Sequence, residues 1–182
     1  MGKEKKCTLY KKYTSYKKCI PYLILAGFTF FFCWWFVGRH GIFGAKVDWL
    51  SQHSVLPDYF RQQFYATGKI FPEFAPNLGG GQNIYHFAYY GLYSPLILPS
   101  YLLPFVKMSD YIMAVSITGL TASVLLFYYW LKSRKTDTGT AFILSLMFLL
   151  AGPMIGQYSG QIMFVDYMPF LCLALIGVDQ YF

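Results

Sequence analysis

The chain has 182 residues, of which 56% are hydrophobic, 21% are aromatic and 13% are charged. A soluble domain has about 25% charged residues because its surface must be hydrated, whereas a disordered chain is rich in charge and poor in aromatic residues. The composition therefore excludes both classes and indicates a protein that spans a membrane several times. Most of the net charge of +7 comes from residues 1–19, so it is typical of a segment beside a membrane and argues against a nucleic-acid partner.

Four apolar segments are predicted to be transmembrane helices: 20–38, 111–131, 139–156 and 163–182. The first has 19 uncharged residues, which as a helix reach about 28 Å, close to the thickness of the hydrocarbon core. Pro21 lies where a helix tolerates proline, in the first turn. Because the segment ends in Trp34-Trp35-Phe36 and not in small residues, we expect an uncleaved span and not a signal peptide.

The positions of Lys and Arg orient these spans, since basic residues concentrate in cytoplasmic loops. Residues 1–19 and 132–138 are basic and are predicted to be cytoplasmic. Residues 39–110 form a large extracytoplasmic loop in this topology, and residues 157–166 form an extracytoplasmic corner.

Residues 91–106 are apolar but are interrupted by three prolines. The stretch Gly91–Pro104 would reach about 21 Å as a helix, short of the roughly 30 Å core. We expect a broken helix in the outer membrane interface. The alternative is a short true span, which would place Lys132–Lys135 outside the cell.

The loop 39–92 is aromatic throughout, which favours a structured cap over a passive connector. Asp48 follows the first span by ten residues. A carboxylate held there, partly shielded from water, can act as a general base or a metal ligand, or it can simply cap a helix. In a helix, Gln52 would share a face with Asp48 at i, i+4, and His53 comes next in the chain.

Two further clusters in this loop carry polar chemistry. Arg61 offers a rigid fork that suits phosphate, or it forms a local pair with Asp58 at i, i+3. The run Asn77–Asn83 contains three consecutive glycines, which either let backbone N–H groups approach a ligand or form a flexible turn. No Lys-Ser/Thr follows the glycines, so the run is not a nucleotide-binding P-loop.

The corner before the fourth span contains Asp166, with Gln157 and Gln161 nearby. Acidic residues close to a membrane span are functional candidates. The predicted topology brings Asp48 and Asp166 to the same side of the membrane from opposite ends of the chain. Asp179 is predicted to be an end residue near the inner surface.

Two stretches resemble the bacterial YfhO family: VDWLSQHSVLPDYFRQQFYATGKIFPEFAPNLGGGQNIYHFAYYGLYSPLILPSYLLPF and IMFVDYMPFLCLALIGVD. The resemblance runs from about residue 20 to residue 182. It implies an all-α membrane protein of the GT-C superfamily, whose N-terminal module has about four transmembrane helices and a large structured extracytoplasmic first loop with interfacial helices. These enzymes transfer a sugar from a polyprenyl-phosphate donor, and members of the family glycosylate cell-wall polymers such as lipoteichoic acid.

The resemblance also implies roles for individual residues. Asp48 and Asp166 match the two acidic positions of the superfamily, Asp48 as the base and Asp166 as a residue that orients the acceptor or helps to hold a divalent ion. Arg61 and Lys69 would contact the phosphate. The predicted substrate-binding residues are Gln52, His53, Arg61, Lys69, Gln82 and Asn83. The implied partners are membrane lipid, the lipid-linked donor and the polymer acceptor, at the outer face of the bacterial plasma membrane with the N-terminus in the cytoplasm.

Two alternatives remain open. One is a non-catalytic membrane protein, such as a transporter or scaffold subunit, and the other is an inactive truncated remnant. Members of the family are several times longer, so we expect a fragment or a truncated product whose 182 residues alone are inactive. The sequence identifies neither the sugar nor the acceptor nor any metal.

Overall fold

The structure is a computed structural model that describes residues 2–40, 43–45 and 48–182. For residues 2–17, 40 and 164 it describes the backbone alone. The predicted cytoplasmic N-terminus rests mainly on the lysines before Lys18. The side chains of these lysines are not among those that the structure describes.

The chain is mostly helical, which agrees with the predicted all-α class. The described part contains α1 Gly2–His40, α2 Val55–Thr67, α3 Met108–Ser133, α4 Thr138–Leu149, α5 Gly152–Gly160 and α6 Met168–Tyr181. A π-helical turn covers Trp49–His53, and short 3₁₀ helices cover Ile84–Tyr90, Leu98–Leu102 and Ile162–Phe164. Strands β1 Phe74–Ala75 and β2 Gln82–Asn83 form an antiparallel hairpin, a feature that was not predicted from the sequence.

Two helices of the described chain are long and apolar enough to cross a membrane, Lys18–Arg39 within α1 and the whole of α3. Helices α4 and α5 are bent by 48° at the break between them, so together they form either one broken span or a re-entrant pair. Helix α6 is apolar but has 14 residues, about 21 Å of helix, so a fourth complete span stays a prediction.

The first helix begins earlier than the predicted span. It starts at Gly2, and Pro21 lies inside it and not in its first turn. Proline removes one backbone hydrogen bond from a helix interior. The expectation that Pro21 lies in the first turn was therefore wrong, because the helix continues through the charged residues that precede it. The predicted span 20–38 itself lies within the apolar segment Lys18–Arg39.

Helix α3 lies at the centre of the bundle, and its contacts fix the directions of its neighbours. Tyr22 of α1 packs edge-on against Tyr128 near the end of α3, with ring centroids 4.8 Å apart, and Phe36 lines a pocket together with Ser116 nearer the start of α3. Helix α1 therefore runs antiparallel to α3. Asp179 near the end of α6 accepts hydrogen bonds from Trp130 Nε1 at 2.7 Å and from an Arg134 nitrogen at 2.8 Å. Helix α6 is therefore parallel to α3, and the basic residues after α3 lie at the same end of the bundle as the start of the first apolar segment.

The long loop folds as a cap with its own core at the other end of the bundle. This core contains Leu56, Phe60, Ala75, Ile84, Leu92 and Tyr101. The hairpin turn needs Gly79, Gly80 and Gly81, because all three have positive φ, at 57°, 80° and 95°. The glycine run thus serves as the tight turn of a hairpin in the cap.

Topology can be tested with cysteines in a background from which the native cysteines have been removed. Ser133 is exposed at the basic end of the bundle, and Lys69 is exposed in the cap. We expect Lys69→Cys to react with a membrane-impermeant thiol reagent in intact cells, and Ser133→Cys to react only after the membrane is opened. Ready labelling of Ser133→Cys in intact cells would contradict the predicted orientation.

Candidate functional site

Asp48 contacts the corner that precedes α6. It lies at the start of the π-helical turn Trp49–His53, and its Oδ2 accepts a hydrogen bond from Gln161 Nε2 at 3.0 Å. The two residues are 113 positions apart in the chain. The segment after the first span and the corner that carries Asp166 therefore meet at one end of the bundle.

In the π-helical turn, neighbouring side chains contact different partners. The backbone N–H of Ser54 donates to the Trp49 carbonyl at 3.1 Å, an i→i+5 bond, so the i, i+4 relation expected for Asp48 and Gln52 in an α-helix does not apply. Asp48 contacts Gln161, whereas the Gln52 side-chain oxygen accepts from the hydroxyl of Tyr90. Turns of this kind are frequent at functional sites.

His53 is buried beneath this turn. Its Nδ1 lies 2.8 Å from the Met163 sulfur, and its ring centroid lies 5.7 Å from that of Tyr90. Burial lowers the pKa of His53, and the nearby charge of Asp48 opposes the shift in part. His53 is therefore neutral at pH 7, and its contacts tie the turn to the corner.

Asp166 lines a cavity between the cap and the bundle. The cavity has a volume of about 210 Å³. Its described walls come from the end of the first 3₁₀ helix and the segment after it, from α3 and from the corner: Ala88, Tyr89, Gly91, Tyr93, Ser94, Pro95, Leu96, Ile97, Val115, Ile162, Met163 and Asp166. Burial raises the pKa of Asp166, and backbone hydrogen bonds at Tyr167 and Asp166 oppose the rise.

Tyr89 lies close to both acidic residues. It lines the cavity together with Asp166. Burial raises the pKa of Tyr89, and the neighbouring Tyr90 and Asp48 raise it further, so Asp48 acts electrostatically on the same phenol. Asp48 and Asp166 thus both lie near one tyrosine, at the same end of the molecule.

Arg61 is occupied by contacts within the protein. Its side chain is 7% exposed and forms an ion pair with Asp58 at 2.6 Å. One terminal nitrogen also donates to the carbonyls of Leu103 at 3.2 Å and Val106 at 2.8 Å. The Asp58–Arg61 ion pair, which was the alternative to phosphate binding, is present. Arg61 also holds the segment before α3 against α2.

The other predicted binding residues have local partners. Lys69 is exposed, and its Nζ lies 3.9 Å from Oε1 of Glu73. The Asn83 side chain accepts from the backbone N–H of Tyr85 at 2.9 Å and so caps a 3₁₀ helix, and Gln82 lies 3.4 Å from a ring nitrogen of His86. The contacts of Gln82 and Asn83 hold the start of the 3₁₀ helix that follows the hairpin, and neither contact joins them to Asp48.

Across the described residues, no group of three or more His, Cys, Asp or Glu side chains comes together in a way that could hold a metal ion.

The burial of Asp166 predicts an unusual pH dependence of stability. A carboxyl with a raised pKa in the folded state opposes folding once it is ionised, so this cost appears as the pH rises from the ordinary Asp range, near 4, through the raised pKa. We expect Asp166→Asn to unfold at a higher temperature than the native protein at pH 8. The difference should shrink towards pH 4, and a lower unfolding temperature for the variant at pH 8 would contradict the assignment.

Three residues of this site were absent from the predicted site: Gln161, Tyr89 and Tyr93. Gln161 was noted beside Asp166, but its bond to Asp48 is non-local and has no sequence signal. The tyrosines lie in an aromatic run that predicts packing as readily as binding. Their closeness to the acidic residues depends on how the cap folds onto α3.

The sequence model of the family described as "Bacterial membrane protein YfhO" matches residues 18–182, which is nearly the whole chain. A comparison with curated proteins finds no match, and neither does a comparison with solved structures.

Proposed function

This chain belongs to the YfhO family of bacterial membrane proteins, and from that premise we propose that it is the N-terminal part of a membrane glycosyltransferase. The enzyme would move a sugar from a polyprenyl-phosphate donor to a cell-wall polymer such as lipoteichoic acid, at the outer face of the plasma membrane. The observation that carries the proposal is the hydrogen bond that Gln161 donates to the Asp48 carboxylate at 3.0 Å. Through it, two acidic segments from opposite ends of the chain share one surface.

In this mechanism the acceptor hydroxyl attacks the anomeric carbon of the donor while the lipid phosphate leaves. Asp48 takes the proton from the hydroxyl, and the donated bond from Gln161 orients its carboxylate. Asp166, which lines the cavity with Tyr89, orients the hydroxylated group there. Because Arg61 is occupied within the cap, the exposed Lys69 remains the candidate for a phosphate contact.

A lipid-linked donor requires a site at the membrane interface, and the segment before α3 fits that requirement. Leu102 and Phe105 are 81% and 82% exposed. Exposed apolar side chains of this size are unusual in water but favourable at the edge of a bilayer. Arg61 holds the backbone of this segment from within, through the carbonyls of Leu103 and Val106.

The proposal is tested by reconstituting the complete gene product in proteoliposomes. A radiolabelled polyprenyl-phosphate hexose is supplied as the donor, and a lipid-anchored polyglycerolphosphate polymer as the acceptor. We expect protein-dependent transfer of label to the polymer. Vesicles that contain folded protein but show no transfer with any of the common hexose and N-acetylhexosamine donors would contradict the proposed activity and favour a transporter or scaffold.

A further inference from the structure

We propose that the cavity beside Asp166 is a binding site for a single uncharged sugar ring, and that it selects against phosphorylated or otherwise anionic groups. The inference rests on the proposed function, because it assigns a ligand class to a part of the same site. It also makes a binding prediction that does not depend on turnover.

The charge of the cavity excludes an anion. Among the described residues that line it, Asp166 is the one charged side chain, and no lysine or arginine is present. A phosphate placed there would meet a carboxylate without a compensating cation, which is unfavourable in a partly buried site. The hydroxyl groups of a sugar, in contrast, can donate to a carboxylate and accept from a carboxylic acid.

The size of the cavity sets a limit on the ligand. Its volume of about 210 Å³ lies below the roughly 300–1,000 Å³ of sites for drug-sized molecules. One six-membered ring suits this volume better than an oligosaccharide or a nucleotide. The polymer and the lipid chain would therefore remain outside the cavity.

Two tyrosines give the cavity the chemistry of a sugar site. Tyr89 and Tyr93 both line it, and their side chains are 50% and 48% exposed. The face of an aromatic ring carries partial negative charge, so it attracts the weakly positive C–H groups on the face of a sugar ring. A carboxyl group together with half-exposed aromatic rings provides both polar and apolar contacts for a pyranose.

The walls are fixed before any ligand arrives. Tyr93 is stacked on Tyr85 with a 19° interplanar angle and also contacts Phe71, at 5.0 Å between ring centroids. The Tyr111 hydroxyl donates to the Leu96 carbonyl at 2.7 Å and so ties the wall to α3. Gly91 has a φ of 105°, and a Cβ there would meet Ile97 at 2.9 Å, so glycine is required for the turn. A rigid cavity loses little entropy when it binds a small ligand.

Saturation-transfer NMR on the complete protein in phospholipid nanodiscs tests the inference, since it detects weak binding and needs no catalysis. The probes are the methyl glycosides of glucose, galactose and N-acetylglucosamine, each compared with the corresponding 6-phosphate. We expect transfer to the ring protons of at least one neutral glycoside and at least a fivefold weaker signal for its phosphate. Tyr93→Ala should reduce the signal at least fivefold, whereas Tyr93→Phe should keep it.

The matched control is Tyr129→Ala, which removes another exposed tyrosine, at the basic end of α3, and should leave the signal unchanged. The inference is overturned if no neutral glycoside gives a signal, if the phosphates bind equally well, or if Tyr93→Ala binds like the native protein. Glycoside binding without sugar transfer in proteoliposomes would contradict the proposed activity and support the sugar-binding site. Sugar transfer without glycoside binding would support the activity and contradict the site.

Discussion

Asp48→Asn is expected to reduce sugar transfer by the complete gene product about 100-fold or more, because general-base catalysis contributes about 10²–10⁴-fold. The asparagine keeps the size of the side chain and still accepts the hydrogen bond from Gln161. It cannot take a proton from the acceptor. The rate of label transfer in proteoliposomes, normalised to folded protein, measures the effect.

The matched control for this variant is Asp110→Asn, an exposed carboxylate in the first turn of α3 at the same end of the bundle. It should transfer sugar at close to the native rate. Near-native activity of Asp48→Asn would remove Asp48 from the mechanism. Equal losses in both variants would mean that charge at this surface matters and that Asp48 has no specific role.

Arg61→Ala is expected to destabilise the cap by about 3 kcal/mol, because it leaves one oxygen of the Asp58 carboxylate and two backbone carbonyls without the guanidinium. For a protein of this size, that change lowers the unfolding temperature by about 6–12 °C. Arg61→Lys should recover only part of the loss, since an ammonium group cannot reproduce the fork of the guanidinium. Thermal unfolding of the protein in nanodiscs measures both variants.

Lys69→Ala is the control for this experiment, because its ion pair with Glu73 is exposed and long at 3.9 Å. Surface pairs contribute about 0–1 kcal/mol, so the unfolding temperature should hardly change. A native-like unfolding temperature for Arg61→Ala would contradict its structural role and restore it as a candidate for the phosphate.

The sequence predicted best those features that depend on local composition. The apolar lengths of Lys18–Arg39 and Met108–Ser133 are enough to identify two helices of membrane-spanning size. The prolines at 95, 99 and 104 indicate irregular backbone, and the structure has turns and a short 3₁₀ helix there. Chain length and hydropathy suffice for such predictions because backbone hydrogen bonding leaves few choices within a bilayer.

The features that were missed depend on contacts between distant residues. Strands β1 and β2 have two residues each, too short for an alternating pattern. Arg61 was predicted to bind phosphate from the shape of its guanidinium group. Its bonds to the carbonyls of Leu103 and Val106 were missed because those residues lie 42 and 45 positions away. The bond between Gln161 and Asp48 spans 113 positions. Such pairs are brought together by the packing of the cap on the bundle, which no local pattern encodes.

A double-mutant cycle on Asp48 and Asp166 tests the central claim most directly, which is that the two corners of the chain form one catalytic site. Sugar-transfer rates are measured for Asp48→Asn, Asp166→Asn and the double variant in proteoliposomes. Residues that act on one transition state are strongly non-additive, so the double variant should be little slower than the slower single variant. If the two losses multiply, or if either single variant keeps the native rate, the acidic residues act separately and the shared site is wrong.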